Sequence, residues 1–145
     1  GTARGVEVVD DFAHNPAKIS ATLSAARPRG RRILAVYQPH GFAPTRYLKN
    51  ELIEAFAEGL RPEDRLWLAD IYYAGGTASK DVSSRDLAEP LRARGRNAFH
   101  VPERASIIAE VAAQAREGDL VLVMGARDPS LADFARELLA ALQAG

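Results

Sequence analysis

Short apolar runs alternate with stretches whose apolar residues recur every three or four positions, from one end of the chain to the other. That rhythm marks strand–helix units wound around a parallel sheet. Strands are expected at Val6 to Asp10, Arg32 to Tyr37, Arg65 to Ala69, Ala98 to Val101 and Leu120 to Met124. Ile33-Leu34-Ala35-Val36-Tyr37 and Leu120-Val121-Leu122-Val123-Met124 are apolar throughout, as strands covered by helices on both faces must be. These two belong at the centre. The fold class is α/β, a Rossmann-like three-layer α/β/α domain with a mainly parallel sheet of about five strands.

Helix boundaries are written in capping and breaking residues. Asn15 followed by Pro16 is a helix entrance, because the asparagine accepts from free backbone N–H groups and proline has no donor to lose at the first position. That helix is expected to run to about Arg27, stopped by Pro28 and Gly30. Thr45 opens a second, with Leu48, Leu52, Ile53, Phe56 and Leu60 on one face and Gly59 and Pro62 closing it. Ser83 with Asp86 forms a capping box with a shorter acid ahead of Leu87 and Leu91, ending at Gly95, and Pro90 predicts a kink or a shifted boundary inside it. A fourth helix runs from about Glu103 to Gly118, and the last from about Pro129. The opening Gly1-Thr2-Ala3-Arg4-Gly5 has neither cap nor period and reads as a segment cut from a longer chain.

Composition narrows the class. The 145 residues suit one domain, with 47% apolar residues and 19 basic groups cancelling 19 acidic ones. The balance carries no basic footprint for nucleic acid. No apolar run is long enough to span a membrane, and no signal-peptide pattern opens the chain, so the expected compartment is the cytoplasm. With no cysteine, the chain has no disulfide, thiolate metal site or cysteine nucleophile.

Ligands of open α/β sheets sit beyond the carboxyl ends of the strands, so the loops after each strand are the places to look. Four are rich in polar residues: Asp10-Asp11-Phe12-Ala13-His14-Asn15-Pro16, Gln38-Pro39-His40-Gly41-Phe42-Ala43-Pro44-Thr45-Arg46, Asp70-Ile71-Tyr72-Tyr73-Ala74-Gly75-Gly76 and Gly125-Ala126-Arg127-Asp128-Pro129-Ser130. Each feature also has a plainer use. Asp10-Asp11 can cap a turn, His14 can be a structural hydrogen-bonding residue, Gly75-Gly76 can be a turn, and Asp128-Pro129 an ordinary helix entrance. His100 falls inside a strand and reads as packed rather than ligating. His14, His40 and Asp11 lack any recognised metal-ligand spacing, no GxSxG elbow occurs, and nothing matches the GxxxxGK[ST] phosphate loop.

The spacing of Asp10-Asp11-Phe12-Ala13-His14-Asn15-Pro16 and Gln38-Pro39-His40 resembles that of the Mur ligases, and within them the alanine-adding members, whose patterns are DDYxHHP and QPHRxTRTR. Asp70 to Gly76 resembles their DVYxAGE stretch, Ser84-Arg85-Asp86-Leu87 their DSRxL, and Gly125-Ala126-Arg127-Asp128 stands in place of their GAGxI. The likeness covers nearly the whole chain and implies the C-terminal, amino-acid-binding domain of a bacterial ligase of peptidoglycan synthesis. In that family three domains bind a UDP-sugar, ATP and the incoming amino acid.

The resemblance implies several further things. The Leu120 strand should lie between the Val6 and Arg32 strands, with the Arg65 and Ala98 strands outward and all five parallel. The family's extra antiparallel edge strand, ahead of Val6, is expected to be missing. Asp11, Phe12, His14, His40, Arg46 and Arg127 are expected to line the substrate and nucleotide interface, with Phe12 standing for a tyrosine, Asn15 for a second histidine, and Gly41 and Pro44 where the alanine-adding members carry arginines. ATP and Mg2+ would be held mainly by the absent central domain, with no cofactor in this chain, and the partners would be small molecules: an amino acid, UDP-N-acetylmuramate and ATP. Two alternatives stay open: a related ligase for a recycled peptide or another amino acid, and a stand-alone Rossmann-like nucleotide-binding or regulatory module.

Overall fold

The protein is described by a computed structural model covering residues 1–28, 32–73, 81–125 and 129–145. Gly30, the Gly75-Gly76 pair and Arg127 lie outside the described residues.

One mixed sheet carries the fold. Its strands are β1 (Thr2–Ala3), β2 (Val6–Asp11), β3 (Ile33–Gln38), β4 (Arg65–Leu68), β5 (Asn97–His100) and β6 (Leu120–Gly125), in the order β1-β2-β6-β3-β4-β5. The five strands from β2 onward are parallel, in the order the resemblance implies. The expectation of a missing edge strand is wrong. Thr2 and Ala3 pair antiparallel with Glu7 and Val6, through a turn at Arg4 and Gly5 where both residues take positive φ. Two residues are too few to show any period, which is why the pattern could not reveal them.

Helices α1 (Pro16–Ala26), α2 (Phe42–Tyr47), α3 (Lys49–Gly59) and α4 (Arg85–Ala93) follow β2, β3 and β4, and α5 (Arg104–Gln114) and α6 (Leu131–Ala144) follow β5 and β6. Alternation along each central strand sends side chains to two cores. Ile33, Ala35, Tyr37, Leu120, Leu122 and Met124 pack with Ile19 and Leu23 of α1, Phe56 of α3 and Leu87 of α4. Leu34, Val36, Val121 and Val123 pack on the other face with Ile107 of α5 and Phe134 and Leu138 of α6. Burying each such leucine or valine contributes about 1.5–3 kcal/mol. The largest buried side chain, Trp67, satisfies its indole N–H by donating to Glu110 at 2.6 Å.

The local signals hold where they were specific. Asn15 caps α1 by accepting from Lys18 N at 2.9 Å, with Pro16 behind it. Ser83 and Asp86 form half of the expected box: Ser83 N donates to Asp86 at 2.9 Å, but α4 starts one residue later, with Ser84 at the cap position, and the Ser83 hydroxyl accepts from Arg85 N at 3.2 Å. Pro90 sits inside α4, which ends three residues later. The single helix expected from Thr45 is instead two, divided at Leu48, which leaves helical geometry at φ −97° and ψ 9°. The chain enters α2 early because Gly41 turns it and its carbonyl accepts from both the backbone and the side chain of Thr45.

At the amino end of the sheet, two buried carboxylates tie the strands down. Asp64 accepts from Arg27 at 2.7 Å, Ile33 N at 2.8 Å and Arg61 N at 2.7 Å. Asp119 accepts from Arg32 at 2.6 Å and Arg116 N at 2.8 Å. These pairs belong to the scaffold and leave the opposite edge for chemistry.

Candidate functional site

Sheet register levels the strand ends. Asp11 pairs with Met124, Met124 with Tyr37, Tyr37 with Leu68, and Leu68 with His100, so the loops after five parallel strands leave from one edge. The chain departs β6 toward α6, on the face opposite the helices that follow its neighbours β2 and β3. Strand ends that diverge in this way open a crevice, the usual ligand position in such sheets.

The loop after β2 is built by Asp11. Its carboxylate accepts from Ala13 N at 2.8 Å and from the Thr22 hydroxyl at 3.3 Å, so this residue shapes the turn rather than facing outward alone. The turn throws Phe12 into solvent, 78% exposed. His14 is exposed, and its Nδ1 lies 2.8 Å from the Phe12 carbonyl oxygen. A carbonyl can only accept, so Nδ1 carries the proton and Nε2 of neutral His14 is an acceptor. Below it, Tyr37 Oη donates to the His14 carbonyl at 3.1 Å. Burial pushes the Tyr37 phenol well above its ordinary pKa of 10, which keeps it a neutral donor.

Strand alternation points Asp10 away from Asp11. Partial burial is the main reason that its carboxyl is held above the ordinary 3.8, the charge on Asp11 adds to it, and Arg136 pulls the other way.

The loop after β3 is stitched to the loop after β4. Gly41 N donates to Tyr72 O and Tyr72 N to Pro39 O, each at 2.8 Å, extending the sheet by a parallel bridge at His40. The half-buried His40 ring stacks near Tyr72 at 5.8 Å between centroids, and Phe42 meets Tyr73 edge-on at 5.2 Å. Arg46 pairs with Asp81 at 2.6 Å on the surface. The structure therefore brings Asp11, Phe12, His14 and His40 to one edge, with Arg46 on the helix that continues from it.

Sequence reasoning missed Arg104 at this edge and gave no site role to Gln38, Ser130 or His100. Arg104 donates to Ser130 Oγ and to Gln38 Oε1, each at 2.6 Å. His100 reads from sequence as a packed strand residue, and it is half-buried, but its Nε2 also pairs with Asp70 at 2.6 Å. One signal for Arg104 was available: a cation in the first turn of a helix sits against the positive end of the dipole, which needs a local reason. Among the described residues no group of three His, Asp or Glu side chains is placed to hold a metal ion.

Comparison with known proteins agrees with this architecture. Solved structures of similar fold include a murein peptide ligase from Psychrobacter arcticus, with a TM-score of 0.74 at 20% identity over 99% of this chain and 28% of that one. A UDP-N-acetylmuramate–alanine ligase from Thermotoga maritima gives 0.71 at 19% identity, over 97% of this chain and 27% of that one. In sequence, the chain is 40% identical over 144 residues to a UDP-N-acetylmuramate–L-alanine ligase from Anaeromyxobacter dehalogenans, covering 99% of this chain and 30% of the relative. One of the same name from Acetivibrio thermocellus is 38% identical over 129 residues, 88% of this chain and 27% of the relative. The chain thus spans less than a third of the length of these relatives. The family profile described as Mur ligase, glutamate ligase domain, matches residues 1–127, and the chain belongs to that family.

Proposed function

We propose that this chain is the amino-acid-binding domain of an ATP-dependent ligase of bacterial peptidoglycan synthesis, one that joins L-alanine to UDP-N-acetylmuramate in the cytoplasm. The observation that carries the reading is the convergence of the Asp11–His14 and Gln38–His40 loops on one sheet edge, in a chain 38–40% identical to alanine-adding relatives. The sequence has no phosphate-binding loop, so ATP and Mg2+ are assigned to a central domain that this edge would close upon. ATP supplies the phosphoryl group that turns the acceptor acid into an acyl phosphate. The chain's own share is positioning: it holds the incoming amine and excludes water, work that needs placed donors and no protein nucleophile. His14 Nε2 offers an acceptor and His40 a ring fixed on Tyr72, while Phe12 and Arg46 offer an apolar and a cationic contact.

Alone, the domain is expected to be inactive. The test measures phosphate release with ATP, L-alanine and UDP-N-acetylmuramate, for the chain by itself and joined to N-terminal and central domains. Activity of the joined protein with L-alanine supports the reading, and ligation by the isolated chain refutes it. A second reading, a ligase that adds a peptide or another amino acid in place of L-alanine, is favoured by Gly41 and Pro44, which leave two arginine positions of the alanine-adding pattern uncharged. Replacing L-alanine with short peptides or other amino acids in the same assay separates the two.

A further inference from the structure

Gln38 ends β3 and pairs in register with Gly125, the last residue of β6, on one flank of the crevice. A Cβ on Gly125 would fall 3.0 Å from the Gln38 carbonyl oxygen and 2.9 Å from a Leu131 methyl, and the glycine takes φ 148°. Position 125 thus has no room for a side chain beside Gln38, and Gln38 itself is only 9% exposed.

Arg104 decides which way that side chain faces. From the start of α5 its guanidinium donates Nη2 to Gln38 Oε1 and Nη1 to Ser130 Oγ, each at 2.6 Å, and lies 5.4 Å from the centre of the Phe134 ring. A guanidinium has donors only, so it must face the carboxamide oxygen, and a rotation of the amide by half a turn would set N–H against N–H. The Gln38 Nε2 donors are consequently turned away from Arg104, and they make no hydrogen bond to any described residue. A largely buried carboxamide with its acceptor filled and its donors open is poised for an outside oxygen.

We propose that Gln38 is a substrate contact and Arg104 its positioning residue: the clamped carboxamide donates from Nε2 to a carboxylate or phosphoryl oxygen of a ligand in the β3–β6 crevice. The identity of that ligand rests on the ligase reading above; the orientation rests on the Arg104–Gln38 geometry alone.

Gln38→Glu is the sharpest test, because it keeps the shape and the acceptor for Arg104 while removing both donors. In the ligase formed by this chain with its N-terminal and central domains, Gln38→Glu is expected to lower kcat/KM at least tenfold, with melts of the isolated chain unchanged or higher. Arg104→Met frees the carboxamide and is expected to lose part of that factor, with partial rescue by Arg104→Lys. The double variant Gln38→Glu/Arg104→Met should be no slower than Gln38→Glu alone. A rise in KM for the amino acid identifies a carboxylate as the acceptor, and a rise in KM for ATP identifies a phosphoryl oxygen. Wild-type kinetics for Gln38→Glu, or losses that multiply independently in the double variant, overturn the proposal. If the unsubstituted ligase joins nothing, the ligase reading has failed, and the pair is then judged on the 15N-labelled chain with inorganic phosphate and acetate as probes. A shift of the Gln38 side-chain resonance that Arg104→Met abolishes upholds the pair, and an unmoved resonance ends it.

Discussion

Tyr37 Oη donates a hydrogen bond of 3.1 Å to the carbonyl oxygen of His14, reaching from β3 to the loop after β2 across the intervening strand β6. The ring that carries this hydroxyl is fixed in the core, 2% exposed and tilted against Phe56 at 5.3 Å. The backbone at the front of the site is thus hung on a core side chain. Tyr37→Phe keeps the packing and removes the donor, and is expected to lower unfolding free energy by about 1 kcal/mol. Urea melts should show the midpoint moving with an unchanged slope. Amide exchange near His14 should quicken in the same variant, and an unshifted midpoint would mean that water replaces the hydroxyl at no cost.

His14 and His40 are expected to separate stability from function in different proportions. The His14 ring is exposed and, among the described residues, bonds only its own loop, so His14→Ala should change the domain's stability by less than about 0.5 kcal/mol. His40 is half-buried against Tyr72, and losing an aromatic pair costs about 0.5–1.5 kcal/mol. In the full ligase either change should reduce kcat/KM at least tenfold, equivalent to about 1.4 kcal/mol of transition-state stabilisation. Melts that fall by several degrees for His14→Ala, with kinetics following in proportion, would make it a structural residue.

The two central strands were legible because burial on both faces demands uninterrupted apolar runs, and α1 because Asn15-Pro16 has a specific capping geometry. What stayed hidden was set by partners distant in the chain. β1 is defined by pairing with Val6 and Glu7, the break at Leu48 by a turn begun at Gly41, and the Arg104–Gln38 contact by side chains 66 positions apart. The site showed the same division. Loop positions followed from strand ends, which put Asp11, Phe12, His14 and His40 at one edge of the sheet, whereas the role of Asp11 as the architect of its own turn required the Thr22 and Ala13 contacts.

Asp10 gives a pH dependence of definite sign. Its folded-state pKa lies above the ordinary 3.8, so between those two values the folded chain binds more protons than the unfolded one and stability falls as pH rises. The penalty is absent below 3.8 and complete once pH exceeds the folded value. Asp10→Asn is therefore expected to raise Tm near pH 7 and to lose that advantage at about pH 3. Because the side chain is largely exposed, the gain should be small and should shrink with added salt. A Tm advantage that persists at the acid end would point to a cause other than ionisation.

Gly41 and Pro44 form a matched pair, and restoring arginine at one position alone should be costly. Gly41 has φ 75° and ψ 138°, in a region where a side chain is strained by about 1–3 kcal/mol. Its backbone cannot relax freely, since its N–H is held by Tyr72 O and its carbonyl by Thr45. A Cβ at this position would also lie 3.0 Å from Pro44 Cδ and 3.3 Å from Cγ. Gly41→Arg thus suffers both strain and contact with the proline ring, whereas Pro44→Arg, at an exposed place early in α2, should change stability by less than about 0.5 kcal/mol. In the double variant the ring is gone and only the backbone strain remains. The double change should therefore destabilise less than the sum of the two single changes, by a coupling of at least about 0.5 kcal/mol. Denaturant melts of the four proteins measure this directly. Additivity within about 0.3 kcal/mol would remove the ring contact as a cause and leave the positive φ of Gly41 as the sole barrier to an arginine there.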